Sequence, residues 1–481
     1  MKQVEADIAI IAGGPAGLAA AVAAAEKGAS VVVFEKSNVT GGCGNMAMGP
    51  FGVESRVQKR QAIGLTRDEA FKIHMDFNHW MTDARLVRAF IDKSGNTIDW
   101  LEDMGVEWLK ATPHFPKSQP TWHILRTHKA GHGSGAIIFK ALTDRAKELG
   151  VRFYLSTPVK KILKENGQIV GLHATDAAGE TIQANTRAVV VATGGFGGNV
   201  EMIKEITGLE WGRDIFSFTI PGISGDGLKM AWEAGAAKTH MILEIYCAVP
   251  RQDQFWNLDA VFRQPNLLVN LNGERFFNEE VIQNNTFAGN AISRQKNRCA
   301  FMIFDEATKR HYEKNGFDQI CYDIPVEDTS GFDDELERAL AAGSEDFFAA
   351  DSIEALAEKA GIHTENLLKT VAEYNKACAG RDALFNKHYT FLKPIKKPKF
   401  YAGKLALSGF GSLGGIKINY KAEVEDKEFN VIPGLYAAGT DANAIHADSY
   451  TFILPGNSMG FAINSGRIAG ESAADYVDSV A

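Results

Sequence analysis

The stretch DIAIIAGGPAGLAAAVAAAEKGASVVVFE, residues 7–35, decides the fold. Asp7 to Ala12 reads as a short buried strand, Gly13 to Gly17 as a tight turn, and Leu18 to Lys27 as a helix of small residues packed closely on a sheet. Gly28-Ala29 then leads into a second apolar strand, Ser30 to Phe34, which Glu35 ends. Strand, turn, helix, strand and acid follow at about the spacing of a dinucleotide-binding unit. Glycines at 13, 14 and 17 let the backbone approach a pyrophosphate, and the helix N-terminus stabilises its charge. Glu35 is placed to accept the two ribose hydroxyls. Ala12 stands where the fingerprint has its first glycine, and a methyl there is tolerated if the backbone keeps a negative φ.

The rest of the chain limits what such a unit serves. At 481 residues, 45% of them hydrophobic, it is long enough for more than one core and should divide into two domains or so. The net charge of −8 comes without a long basic run, which argues against nucleic-acid and anionic-membrane partners and leaves a small-molecule ligand. No leader-like segment and no bilayer-length apolar window is found, so a soluble, cytoplasmic protein without membrane insertion is expected. The five cysteines, Cys43, Cys247, Cys299, Cys321 and Cys378, are odd in number and scattered. They form neither a disulfide framework nor a zinc or iron–sulfur spacing, and no metal site is expected. Electrons would need a different carrier.

Residues 7–55, with VVVATGGFGGN at 189–199, SGDGLKMAWEAGAA at 224–237 and GLYAAGTDAN…GRIAGESAA at 434–474, resemble the FAD-binding flavoproteins related to fumarate reductase, succinate dehydrogenase and 3-ketosteroid dehydrogenase. The resemblance covers nearly the whole chain, with the motifs in the family's order. It implies an α/β fold: a doubly wound, Rossmann-like FAD-binding domain with an inserted α+β capping domain. FAD would be held by Ala12, Gly13, Gly14, Ala16, Gly17, Glu35 and Lys36 at the dinucleotide turn. Gly41, Gly42, Met46, Met48 and Gly49 would pass beside the flavin ring and ribityl chain, which would explain a segment of small residues. The stretch Arg152 to Leu163 reads as one strand, with Val159 at the family's adenine contact. Ala192, Thr193 and Gly194 would line the dinucleotide. Gly439, Thr440 and Asp441 would follow the last strand toward the ribityl chain, with Asp441 one residue later than the family's acid. Asn457, Ser458 and Met459 would open the C-terminal helix, whose N–H groups would face the charge of reduced flavin. The glycine-rich run lacks the histidine of the covalent subset, so FAD should be bound non-covalently.

The glycine motifs stop between about Trp232 and Pro394, and acidic helical patches appear, such as DDELERALAA at 333–342 and SIEALAEKA at 352–360 with Ser352 as N-cap. The reading is therefore an FAD-binding domain of residues 1–231 and 395–481 with a capping domain of 232–394 that would cover the substrate. No second nucleotide turn is found, because GHGSG at 131–135 has no strand before it and no acid after it. Electrons would come from a redox partner protein or another substrate.

By the same resemblance, the two histidines and two arginines that clamp a dicarboxylate in fumarate reductases are missing. Cys247, Gln283, Gly411 or Ser412, and the stretch HADSYTFILP at 446–455 stand in their places. Buried carboxylates without these cations would be costly, so fumarate and succinate are rejected. The replacements are aromatic: Tyr246, Phe255, Trp256, Phe262, Tyr450 and Phe452. This resembles the ketosteroid-dehydrogenase branch, in which tyrosine hydroxyls polarise a carbonyl and move a proton while flavin N5 exchanges a hydride. Tyr450 is the first acid/base candidate and Tyr246 the second, acting as phenolate only if the pKa is lowered; His446 is a candidate relay. The expected activity is hydride exchange at a carbon–carbon bond next to a carbonyl. Two alternatives stand beside it: an electron-transfer subunit, and a carboxylate reductase with a clamp rebuilt from Arg126, Arg263, His128 and His132.

Overall fold

The computed structural model describes residues 1–127, 133–217, 221–319, 326 and 328–480. It divides into two compact units. The first holds Met1–Gly208, the stretch ending at Glu244, and the chain from Phe410 onward; the second holds a short stretch beginning at Leu209 and Ile245–Gly409. The main stretch of the second unit, Ile245–Gly409, begins and ends later than the composition shifts near 232 and 394, while the short stretch beginning at Leu209 joins it from before the first shift.

The first unit is built on a six-stranded sheet. Its strands are β1 (Ile8–Ile11), β2 (Val31–Phe34), β3 (Arg152–Tyr154), β4 (Ala188–Val191), β5 (Glu423–Glu425) and β6 (Val431–Ala437), in the order β5-β6-β4-β1-β2-β3. All neighbours are parallel except β5 and β6. β1, β2 and β4 are apolar throughout and buried at every residue, as strands covered on both faces must be.

Helix α1 (Pro15–Glu26) follows β1, and helix α2 (Asn457–Ser479) packs on it. The small residues of both have a geometric cause. A Cβ on Gly466 would lie 2.2 Å from the carbonyl oxygen of Ala16, and one on Gly470 would lie 2.2 Å from that of Ala20, so the two backbones touch.

Two local readings need correction. Ala12 has a φ of +82°, not a negative one. Its methyl is carried in a region that normally favours glycine, at a cost of about 1–2 kcal/mol. The stretch 152–163 is also not one strand. β3 ends at Tyr154, Ser156 turns with φ +52°, and a new strand, Val159–Glu165, joins a separate four-stranded sheet. Pro158 and the positive φ at Ser156 break the run that apolar alternation had suggested.

The second unit carries strands Leu267–Val269, Cys299–Asp305 and Phe347–Ala350 around Phe400–Gly415. Its core includes Phe262, Phe304, Phe332, Phe347 and Tyr401, with ring centroids 5.3–5.9 Å apart. Ser352 caps helix Ile353–Ala360 as expected, accepting a hydrogen bond from the Ala355 N–H at 3.1 Å.

Candidate active site

The turn after β1 is held open by its own bonds. Glu35 is buried, and its carboxylate accepts hydrogen bonds from the N–H of Gly13 and of Ser37, both at 2.7 Å. A carboxylate has about four acceptor positions, so two remain for hydroxyl groups. Gly14 caps α1, and a Cβ added there would meet nothing within 4 Å. Gly17 is different, because its Cβ would lie 1.9 Å from the carbonyl oxygen of Ala12. Ala16 and Ala192 are buried beside this turn, and the Ala192 N–H donates to the carbonyl of Ile11 at 3.1 Å. Lys36 turns away and pairs with Asp226 at 2.9 Å.

Parts of the glycine run are pressed by neighbouring protein atoms. A Cβ on Gly44 would strike Phe139 at 2.4 Å and Pro15 at 2.5 Å, and one on Gly49 would strike the carbonyl oxygen of His123 at 1.9 Å. Gly41 (φ +99°) and Gly42 (φ +49°) have positive φ, which favours glycine whatever lies nearby. Met46 is exposed, and Met48 is half-buried. Of GHGSG, Gly131 and His132 lie outside the described residues, as does His128. Gly135 packs on the same turn, donating its N–H to Ala47 at 2.8 Å.

Beyond β4, Asp441 is fully buried, and its carboxylate binds the loop Thr193-Gly194-Gly195. The Thr193 hydroxyl lies 2.9 Å from it and the Gly195 N–H 2.8 Å. Burial pushes the Asp441 pKa up, opposed by these hydrogen bonds. Asp441 therefore anchors the loop that carries Thr193 and Gly194, and Thr440 precedes it. Gly439 donates its N–H to Ser465 at 2.9 Å. Val159 is buried at the start of its strand.

The N-terminus of α2 gathers the reactive side chains. Asn457 is fully buried; its Nδ2 donates to Thr451 at 3.0 Å and to Leu454 at 2.7 Å, while its Oδ1 has no partner among the described residues. Met459 is buried two residues on. The Ser458 N–H donates to the Tyr450 hydroxyl at 3.2 Å. The Ser458 hydroxyl meets Glu244 Oε2 at 2.7 Å.

Tyr450 is buried, and its ring stands 4.9 Å from His446 and 5.8 Å from Phe452, which in turn lies 4.6 Å from His114. Burial, and then the nearby Glu244, push the Tyr450 pKa up, against the hydrogen bonds from Ser458. The condition for action as phenolate, a lowered pKa, is not met; Tyr450 is held as a protonated phenol. His446 Nδ1 accepts from the Thr451 N–H at 3.3 Å and lies 3.0 Å from the Thr451 hydroxyl, which places its proton on Nε2. Burial takes its pKa well below the usual histidine value, so the ring is neutral. Tyr450 is hydrogen-bonded to Ser458 rather than to His446.

Several groups escaped the sequence reading. Glu244 is a single acid inside the apolar run MILEIYCAV, and an acid in such a run is the available signal. His74 lies 5.7 Å from His446, donates to Ile445 at 2.6 Å, and is lowered by burial to about 4. Asn78 donates to the Thr451 hydroxyl at 2.8 Å, so helix Arg67–Phe77 and the residue after it steady the Tyr450 loop.

Tyr246 is buried in strand Ile242–Ala248, two residues after Glu244, and falls in the second unit. Phe255 and Phe262 are core residues of that unit, each within 6 Å of Phe347. Arg263 is paired with Asp259 at 2.7 Å, both buried, and Arg126 is exposed, 4.0 Å from Glu107. Neither arginine stands ready as a clamp. Among the described residues no group of side chains could hold a metal ion, and no helix is long and apolar enough to cross a membrane.

The FAD binding domain family model matches residues 7–458, and the chain belongs to that family. It is an FAD-dependent oxidoreductase acting on carbon–carbon bonds. It is similar to vinyl phenol reductase of Lactiplantibacillus plantarum, with 35% identity over 98% of this chain and 96% of that one. A fumarate reductase (cytochrome) of Shewanella frigidimarina is 28% identical over 98% of this chain and 77% of its own. The crystal structure of 3-ketosteroid-delta4-(5alpha)-dehydrogenase from Rhodococcus jostii RHA1, in complex with 4-androstene-3,17-dione, superposes with a TM-score of 0.79 and 25% identity, covering 98% of each chain. The open acceptors on Glu35, the free space at Gly14 and the unpartnered Oδ1 of Asn457 fit the FAD that this family binds.

Glu244 makes stability depend on pH. Burial raises its pKa from 4.5 to about 7. Between these values the folded chain keeps a proton that the unfolded chain has lost, so stability falls as pH rises, at about 1.4 kcal/mol per pH unit. Glu244→Gln removes this term. The stability of the variant relative to wild type should rise by about 3 kcal/mol from pH 4.5 to pH 7.5. Urea denaturation at the two pH values measures it, and parallel pH profiles would show that Glu244 is ionised in the fold.

Proposed function

We propose that the protein reduces a carbon–carbon double bond conjugated to a neutral carbonyl or aromatic group, using non-covalently bound FAD. The observation that carries this reading is Tyr450: a buried, protonated phenol at a helix N-terminus, among Phe452, His114 and a neutral His446. Reduced FAD, when bound, supplies a hydride. Ala16, Gly17 and the N-terminus of α1 would hold its pyrophosphate, Glu35 its ribose, and Asn457 its ring.

The remaining work belongs to the chain. Reduction adds a hydride to one alkene carbon and a proton to the other. A phenol kept protonated by burial is suited to deliver that proton, and its deprotonated form is held by the N–H of Ser458. The neutral, aromatic surroundings suit an uncharged conjugated substrate better than a dicarboxylate, whose second charge would be buried without a partner. The relative named vinyl phenol reductase supports the reducing direction and an aromatic substrate.

The test is anaerobic. The holoprotein is reduced chemically and mixed with enones, hydroxystyrenes, aryl acrylates and fumarate, and flavin reoxidation is followed. Fast reoxidation by a neutral enone or hydroxystyrene is expected. Reoxidation by carboxylates alone would overturn the proposal, and silence across the panel would favour an electron-transfer role.

A further inference from the structure

A proton given up by Tyr450 must return before the next turnover, and the surroundings of the hydroxyl name its source. Ser458 stands between two oxygens. Its backbone N–H donates to Tyr450 at 3.2 Å, and its hydroxyl is 2.7 Å from Glu244 Oε2, so one residue touches both the phenol and the acid. Glu244 is 9% exposed, and among the described residues no cation lies against it. We infer that Glu244 is the proton store that refills Tyr450 through the Ser458 hydroxyl, a positioning and relay role that rests on the reading of Tyr450 as the acid.

The geometry suits the task in both protonation states. With Glu244 protonated, its O–H donates to Ser458 Oγ, and the Ser458 O–H is free to donate to Tyr450. With Glu244 ionised, the Ser458 O–H turns back to the carboxylate. The step balances. The Tyr450 O–H bond breaks as the substrate C–H bond forms, and the hydride comes from reduced FAD. The phenolate then takes the Ser458 proton while Ser458 takes the Glu244 proton. Ser458 ends unchanged, Glu244 ends as carboxylate, and solvent reprotonates it. Among the described residues, His446 stands 4.9 Å from the Tyr450 ring and His74 5.7 Å from His446, and both are kept neutral by burial. Burial without a counter-charge brings the Glu244 acid to about 7, where it can both hold and release a proton near neutrality.

The test compares the first turnover with those that follow. In Glu244→Gln holoprotein, the first turnover of reduced protein should keep its wild-type rate, because Tyr450 starts protonated; Ser458→Ala is compared in steady state only. Steady-state kcat should fall tenfold or more, with KM within twofold, and the decline of wild-type kcat above pH about 7 should vanish in Glu244→Gln. Ser458→Thr should restore turnover. Independently of activity, infrared difference titration should show a carboxylic acid band that disappears around pH 7 in wild type and is missing in Glu244→Gln. Tyr450→Phe, by contrast, should slow the first turnover. If Tyr450→Phe is slow while Glu244→Gln matches wild type in steady state at every pH, the relay is wrong and the Tyr450 acid stands. If Tyr450→Phe turns over normally, both fall.

Discussion

Gly17→Ala is expected to strip the protein of FAD. The added methyl would sit 1.9 Å from the carbonyl oxygen of Ala12 and 3.2 Å from Ile10 Cγ2, both in the β1 strand and turn. Relief would require α1 to lift from the sheet. On its other side α1 is pinned by α2, where any Cβ on Gly466 or Gly470 would already clash with its carbonyls. Overpacking against backbone on both sides should cost about 3 kcal/mol or more, and that strain falls on the loop proposed to hold the pyrophosphate. A loss of at least about 100-fold in FAD affinity follows at about 1.4 kcal/mol per tenfold. Flavin content after gel filtration and fluorescence titration of the apoprotein measure it. Gly14→Ala is the control: its methyl meets nothing within 4 Å, so the apoprotein should keep its Tm while any loss of affinity reports contact with FAD. A Gly17→Ala protein with wild-type Tm and affinity would show that the close contact can relax.

The same residues show how far sequence carries the fold. Buried strands, a small-residue helix and an acid at the end of β2 are periodic or compositional features, and they place the dinucleotide turn correctly. What a glycine faces is not written in the sequence. Phe139 and Pro15 press on Gly44 and the His123 carbonyl presses on Gly49, contacts that only the folded chain brings together. Ala12 hides its positive φ for the same reason, since no side chain signals it. The break between β3 and Val159–Glu165 depends on which sheet the second half joins, a long-range choice.

The site divides in a similar way. Tyr450 and His446 were legible as polar residues in a stretch that lacks a familiar clamp, and Ser458 as part of the opening of the last helix. Their relation was not, because hydrogen bonding between Tyr450 and Ser458 is set by the start of α2, and Glu244 arrives from a strand more than two hundred residues earlier. The direction of the Tyr450 shift was left open by the sequence. N–H groups of the helix N-terminus lower it, yet burial and the neighbouring acid outweigh them.

That outcome gives the second large prediction. Tyr450→Phe should lower kcat for alkene reduction by about 10²–10⁴-fold, the usual contribution of a positioned acid, while KM changes little. The ring is kept, so its packing against His446 and Phe452 persists. The lost hydroxyl leaves the Ser458 N–H without this acceptor, at a cost of about 1–3 kcal/mol in stability. A second measurement separates the two effects. If Tyr450 is the acid, the solvent isotope effect on flavin reoxidation should change in Tyr450→Phe, whereas flavin content should stay at the wild-type level. The raised pKa of Tyr450 also fixes the pH behaviour of the first turnover: with its proton retained well above neutrality, the rate should stay level from pH 7 to 9 in wild type and in Glu244→Gln alike. A first-turnover rate that falls across that range would assign the proton to a more acidic group, and a Tyr450→Phe protein with wild-type kcat would remove the phenol from the chemistry altogether.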